Sequence, residues 1–116
     1  MIVIKYGGNA MSDSSLKQSF AAEVVTLQHE GLSPVVVHGG GPQISAMLKR
    51  LGLEGEFRGG YRVTTPEVAH VVRTVLAGEV RSEVVAIINS AGGKATGLGG
   101  DDGSLFLAAK LSLIHI

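Results

Sequence analysis

The chain has 116 residues, ten Lys+Arg against ten Asp+Glu, and no cysteine. That length fits one domain of ordinary size, at roughly 100–150 residues per domain, and a composition of 45% hydrophobic and 17% charged residues excludes a disordered chain. Zero net charge excludes a basic field that would hold nucleic acid or an anionic membrane non-specifically, and the missing cysteine excludes disulfide scaffolds, cysteine zinc sites and thiol chemistry.

Seventeen glycines with only 4% aromatics, against an ordinary glycine content of about 7%, point to an α/β protein with tight strand-to-helix turns. Ile2–Tyr6 is a β-branched run stopped by Gly7-Gly8 and reads as a buried strand. Asp13 or Ser14 caps a helix whose apolar face is Leu16, Phe20, Val24 and Leu27, ended by Gly31. Pro34–His38 is a second buried strand. Gly39-Gly40-Gly41-Pro42 follows and opens a helix carrying Ile44, Met47, Leu48 and Leu51, closed by Gly52. This β-α-β-α order predicts a parallel sheet with right-handed crossovers.

Phe57–Thr64 reads as a small hairpin turning on Gly59-Gly60. Thr65-Pro66 is an N-cap followed by proline at the first helical position, with Val68, Val71, Val72, Val75 and Leu76 on the inner face. Gly78 interrupts this helix, and Val80, Val84, Ile87 and Ile88 carry another to Gly92-Gly93. Ala95–Gly100 is expected as a strand, Asp101-Asp102-Gly103 as a turn, and Leu105–Ala109 as the returning strand. Leu111–Ile116 has no cap, turn or polar ending, and is expected to be foreign to the natural protein or to mark an early stop.

Met1–Ile4 lacks the basic start and cleavage site of a signal peptide, and no apolar stretch reaches the roughly 18 residues of a membrane span. A cytoplasmic location is the default expectation.

Two candidate sites sit at the carboxyl ends of the predicted parallel strands, where open α/β sheets bind ligands. In Lys5-Tyr6-Gly7-Gly8 a lysine at a strand end is followed by glycines that let backbone N–H groups close on the same anion. The plain alternative is a turn beside an exposed lysine. In His38-Gly39-Gly40-Gly41-Pro42 three glycines precede a helix N-terminus, an anion cradle reinforced by the helix dipole. A tight turn alone rarely needs three glycines. His38 is expected to hydrogen-bond within its loop, since no second ligand stands at metal spacing. A third, weaker candidate is Arg62, in a hairpin where it would clamp a carboxylate. The Gly97–Gly103 stretch reads as a hairpin and not a phosphate loop.

There is no Walker A sequence, no G-x-G-x-x-G, no G-x-S-x-G and no H-E-x-x-H. Two anion cradles without a nucleophile or general base fit phosphoryl transfer to an acceptor that is already an anion. A carboxylate acceptor needs no base, and the protein then positions two anions and neutralises charge on the transferred group.

Lys5-x-Gly7-Gly8-Asn9-Ala10-Met11, His38-Gly39-Gly40-Gly41-Pro42, Gly60-x-Arg62-Val63-Thr64 and Gly97-x-x-Gly100-x-Asp102-Gly103 together resemble the acetylglutamate kinases of the amino acid kinase superfamily. The resemblance covers residues 1 to about 110. It implies a three-layer αβα sandwich with a mainly parallel sheet, of which this would be the amino-terminal half, a substrate-binding and dimerisation domain. It implies ATP-dependent phosphorylation of the γ-carboxylate of N-acetyl-L-glutamate, the second step of arginine biosynthesis, with Mg2+ accompanying ATP. By matching position, Lys5 would stabilise the transferring phosphoryl group, Gly7 and Gly8 would contact the ATP phosphates, Gly40 and Gly41 would bind substrate through backbone N–H groups, and Arg62 would hold the α-carboxylate. A homodimer is implied, without hexamerisation, because the chain starts on its first strand. Family members are more than twice as long, so the chain alone is expected to bind at most weakly and to be catalytically inert. The alternatives are another superfamily kinase, acting on glutamate, carbamate or a nucleoside monophosphate, and a non-catalytic small-ligand-binding or dimerisation module.

Overall fold

A computed structural model describes residues 1–53 and 56–111. The elements in chain order are β1 (Ile2–Tyr6), a 3-10 turn (Gly8–Met11), α1 (Ser14–His29), β2 (Pro34–His38), α2 (Gly41–Arg50), β3 (Phe57–Arg58), β4 (Tyr61–Arg62), α3 (Pro66–Arg73), a π-helical segment (Thr74–Val80), α4 (Arg81–Ser90) and a second 3-10 turn (Asp102–Ser104). The expectation for the chain end falls outside the described residues, apart from Leu111. No helix among the described residues is long and apolar enough to cross a membrane.

β1 and β2 pair in parallel, with Ile2 opposite Pro34 and Tyr6 opposite His38. Side chains alternate across this pair. Ile4, Tyr6 and Val36 face the helices and pack on the core, whereas Val3, Val35 and Val37 are exposed on the other face. β3 and β4 form the predicted hairpin, with Phe57 opposite Arg62. Gly59 (φ +57) and Gly60 (φ +81) both take positive φ, the requirement of a two-residue type I′ turn that matches the strands' twist.

The helices start where their caps predict. Asp13 Oδ1 accepts from Leu16 N at 2.9 Å at the start of α1, and Thr65 Oγ1 accepts from Val68 N at 3.2 Å at the start of α3. The face that α1 buries overlaps the expected one, with Val24 buried and Phe20 packed on the core, but it is shifted around the helix. Ala21, Val24 and Val25 are buried, while Leu16 is 46% exposed. The inner stripe is therefore turned around the helix from the Leu16 line, because α1 must meet both the sheet and α4. On that inner side Lys17 forms an ion pair with Glu83 of α4.

Gly78 was expected to break the helix, but Pro66–Ser90 runs on without a break. The apolar spacing explains how. Val68, Val71 and Val75 are buried at helical spacing, and so are Val80, Val84 and Ile88. The step from Val75 to Val80 is one residue too long for that spacing, and each residue of an α-helix turns about 100°. A continuous α-helix would thus swing the second stripe away from the core. The π segment absorbs the extra residue, and Val75 and Val80 end at 0% and 2% exposure. A glycine costs a helix only about 1 kcal/mol against alanine, less than burying two valines returns.

Neither expected strand, Ala95–Gly100 or Leu105–Ala109, forms among the described residues. A strand needs a neighbour for its backbone groups, and this stretch finds side chains and local backbone turns instead. Gln28 donates Nε2 to Lys94 O at 2.9 Å and accepts from Lys94 N at 3.0 Å. Asn89 Oδ1 accepts from Ala95 N at 2.7 Å. Farther on, Asp102 Oδ2 takes Gly99 N at 2.6 Å, and Phe106 N reaches Gly100 O at 2.9 Å.

Tyr6 ends β1 and joins the sheet to α1. Its ring stacks on Phe20 with centroids 3.8 Å apart, and its hydroxyl donates to Ala10 O at 2.8 Å. Burial raises the Tyr6 pKa, opposed by the Lys17 charge and assisted by Glu83. The hydrogen bond to Glu83 raises the Lys17 pKa.

Gly40, just before α2, is a point of close contact between the loop after β2 and the long helix. A Cβ there would stand 2.6 Å from Leu76 Cδ2 and 3.3 Å from Val80 Cγ2. Gly40→Ala is expected to lower stability by about 1–3 kcal/mol. Adding Leu76→Ala should recover part of that loss, read as a coupling energy in a double-mutant urea cycle. Tyr6 and Lys17 both have folded pKa values above their ordinary ones, so the stability they contribute is complete below pH about 10 and is lost as pH rises through the folded values. Urea melts from pH 8 to 11.5 should show that loss in the natural chain, and a shallower one in Tyr6→Phe and in Glu83→Gln.

Candidate anion-binding site at the strand ends

The parallel register decides where the site lies. Tyr6 stands opposite His38, so the Gly7-Gly8 and Gly39-Gly40-Gly41 loops leave the sheet side by side at its carboxyl edge. Gly39 N donates to Tyr6 O at 3.3 Å and fastens one loop to the other strand. The sequence placed both loops at strand ends, and the structure brings them together.

The first loop turns at once into the 3-10 turn Gly8–Met11, where Asn9 O accepts from Ser12 N and Asp13 N at 3.2 and 3.1 Å. Lys5, the last residue but one of β1, is exposed. It lies on the open face of the sheet, opposite Val37. Its ammonium group is thus carried at the strand end by a rigid paired backbone, next to the glycine turn.

The second loop enters α2. The first helical bond runs from Ile44 N to Gly40 O at 2.9 Å, so the N–H groups of Gly41 and Gln43 precede it and have no partner within the helix. Pro42 has no N–H to satisfy. These donors and the helix dipole make one positive pole at the sheet edge. The three glycines differ in what they serve. Gly40 is buried under Leu76 and Val80, whereas a Cβ on Gly39, on Gly41 or on Gly7 would meet nothing within 4 Å. Packing accounts for Gly40 alone. The others leave the backbone approachable from outside. The His38 ring is hydrogen-bonded within the loop as expected, its Nδ1 lying 3.0 Å from Gly39 O.

Arg62 reaches the same neighbourhood from the hairpin. Its Nη2 donates to Ser45 Oγ at 3.2 Å, on the second turn of α2. Its guanidinium carbon lies 4.6 Å from the centroid of the Phe57 ring. Arg58, Arg73 and Arg81 each pair with a carboxylate, those of Glu56, Asp101 and Asp102. Among the described residues Arg62 has no such partner. The Ser45 and Phe57 contacts were not read from the sequence. The opposition of Phe57 and Arg62 follows from a two-residue hairpin, but the reach to Ser45 depends on how the hairpin folds over α2, which no local pattern encodes.

Gly97–Gly103, expected as a hairpin, is instead a loop closed by the 3-10 turn and tied to the long helix by Arg73–Asp101 at 3.3 Å and Arg81–Asp102 at 3.7 Å. Its carboxylates are occupied there. Among the described residues no group of His, Asp or Glu could hold a metal ion.

The model of the amino acid kinase family matches residues 1–114. An acetylglutamate kinase from Nocardia farcinica is 59% identical over 98% of this chain and 38% of its own length. One from Salinispora tropica is 62% identical over 94% of the chain and 37% of its own length. The chain thus spans a little over a third of the curated relatives it matches. A solved structure, that of smu.665 from Streptococcus mutans, superposes with a TM-score of 0.76 at 29% identity, over 86% of this chain and 40% of that one. With a family model aligned along almost its whole length and its glycine loops on one edge of a parallel sheet, the chain belongs to the amino acid kinase family.

Proposed function

We propose that this chain forms the acceptor-binding and phosphate-facing edge of an acetylglutamate kinase, which transfers the γ-phosphoryl group of ATP to the γ-carboxylate of N-acetyl-L-glutamate. The observation that carries the reading is the meeting of two glycine loops with open backbone on one sheet edge, while an arginine without a carboxylate partner among the described residues is held on the helix that the second loop opens. Relatives at about 60% identity that are named acetylglutamate kinases support the choice of acceptor.

In this reading Arg62 takes the α-carboxylate of the acetylated amino acid, and the N–H groups around Gly40 and Gly41 take a second acceptor oxygen. The Gly7 and Gly8 backbone and the Lys5 ammonium face the nucleotide's phosphates. The residues present fit a phosphate chain: an exposed cation, two glycines with nothing above them, and a 3-10 turn that starts at Gly8. They offer no metal cage among the described residues, so Mg2+ would arrive on the nucleotide. ATP supplies the phosphoryl group. A γ-carboxylate oxygen forms the new bond to phosphorus as the bond to the ADP oxygen breaks, and no proton has to move. That balance suits a site with cations and N–H donors but no general base. The chain's part is to hold two anions in line and to screen their repulsion.

The same reading places a second helical layer on the open face of β1 and β2, completing an αβα sandwich. Exposed Val3, Val35 and Val37 support it, because parallel sheets are normally covered on both faces. A homodimer and a cytoplasmic location belong to the reading through the resemblance alone, as does the division of the chain into a substrate-binding and dimerisation domain, residues 1–110, and a tail.

Calorimetry with the full 116-residue chain tests the acceptor. N-acetyl-L-glutamate should bind, glutamate should not compete, and Arg62→Ala should weaken binding about 10- to 100-fold, the worth of a charged hydrogen bond. Hydroxylamine trapping of acyl phosphate should detect no turnover by this chain alone. Equal binding of glutamate would overturn the choice of acceptor.

A further inference from the structure

We propose that Ser45 and Phe57 are positioning residues that hold the Arg62 guanidinium in one orientation, a carboxylate clamp set before the ligand arrives. The inference rests on the reading of Arg62 as a carboxylate-binding residue. Two contacts restrain the group, and they come from different elements. Phe57, on β3, stands opposite Arg62 of β4 in the hairpin register and offers its ring face at 4.6 Å. Ser45, on α2, accepts one Nη2 hydrogen bond at 3.2 Å.

What separates Arg62 from the chain's other paired arginines is the chemistry of these contacts. Carboxylates neutralise Arg58, Arg73 and Arg81. A hydroxyl and an aromatic face carry no net charge, so they orient Arg62 without neutralising it. Ser45 takes one of the five N–H donors of an arginine and leaves the others for a ligand. The ring supports one face of the planar group.

The placement matters because of what shares it. Ser45 lies four residues after Gly41 on α2, and residues at that spacing stand on one helix face. The guanidinium is thereby set on the side of α2 that Gly41 shares, one turn from the free N–H donors. Phe57 is also 56% exposed, and core packing does not explain a large aromatic there. Stacking the guanidinium does. A side chain already ordered loses less freedom on binding, and affinity gains from that.

The test reads Arg62 directly. In the full chain labelled with 15N, the Arg62 Nε–H order parameter should be high, close to that of the backbone. It should fall in Ser45→Ala and in Phe57→Leu, which keeps apolar bulk but loses the ring face. It should be restored in Ser45→Thr and Phe57→Tyr. Calorimetry on the same variants should show N-acetyl-L-glutamate binding weakened about 3- to 10-fold in the first pair and recovered in the second, with urea midpoints unchanged throughout. An Arg62 as mobile in the natural chain as in Ser45→Ala overturns the proposal whatever the ligand. So does release of Arg62 with no change in affinity. An ordered Arg62, released by both variants, in a chain that binds other N-acylated dicarboxylates but not N-acetyl-L-glutamate, supports the clamp and overturns the acceptor instead.

Discussion

The seat of Gly40 on the long helix holds the architecture of the site together. At that point the loop leaving β2 lies so close to the Leu76 and Val80 side chains that a Cβ would stand 2.6 Å from Leu76 Cδ2 and push the leucine aside. The loop is thereby fixed in depth against the core. The direction of α2, the aim of its first N–H groups and the place of Ser45 all follow from it. Gly39 N, bonded to Tyr6 O, extends the same restraint to β1, and Tyr6 extends it to α1 through Phe20. A loop exposed on its outer side is thus held from beneath, which combines accessibility with fixed geometry.

Much of this was legible in the residues. Asp13 and Thr65 announced their helices through local capping chemistry, and Gly59-Gly60 announced a hairpin because few other pairs tolerate two successive positive φ angles. The β-α-β-α order alone put both glycine loops on one edge, since parallel strands end together. Other features depended on partners far along the chain. Leu16 joined an apolar line at good spacing, yet α1 turned toward α4 and left it half in water. Ala95–Gly100 and Leu105–Ala109 have strand-like sequences, but a strand is defined by its neighbour, and Gln28 and Asn89 reached the backbone first. The Arg62–Ser45 contact spans 17 residues and two elements. It belongs to packing and not to pattern.

The chain's charges are handled locally. A net charge of zero leaves no long-range field, so steering of an anionic ligand falls to groups at the site. Lys17 is spent on Glu83, and two arginines of the long helix are spent on the acidic loop. Lys5 at the sheet edge and Arg62 beside α2 have no such partners among the described residues. The dipole of α2 adds to the positive potential of that region.

The π segment also bears on how the chain tolerates changes in length. The buried stripes on either side of it, Val68-Val71-Val75 and Val80-Val84-Ile88, would fall into step as one regular stripe if a single residue between Val75 and Val80 were removed. The arithmetic is that of an insertion accommodated within a helix. Most helices resist a one-residue deletion because everything beyond it rotates out of register. Here a deletion would instead regularise the helix and keep α4 facing inward. What it would lose is the widened turn that carries Leu76 beneath Gly40. The surplus residue is therefore dispensable to the helix and indispensable to the loop, and a shortened chain would keep its core while unseating its site.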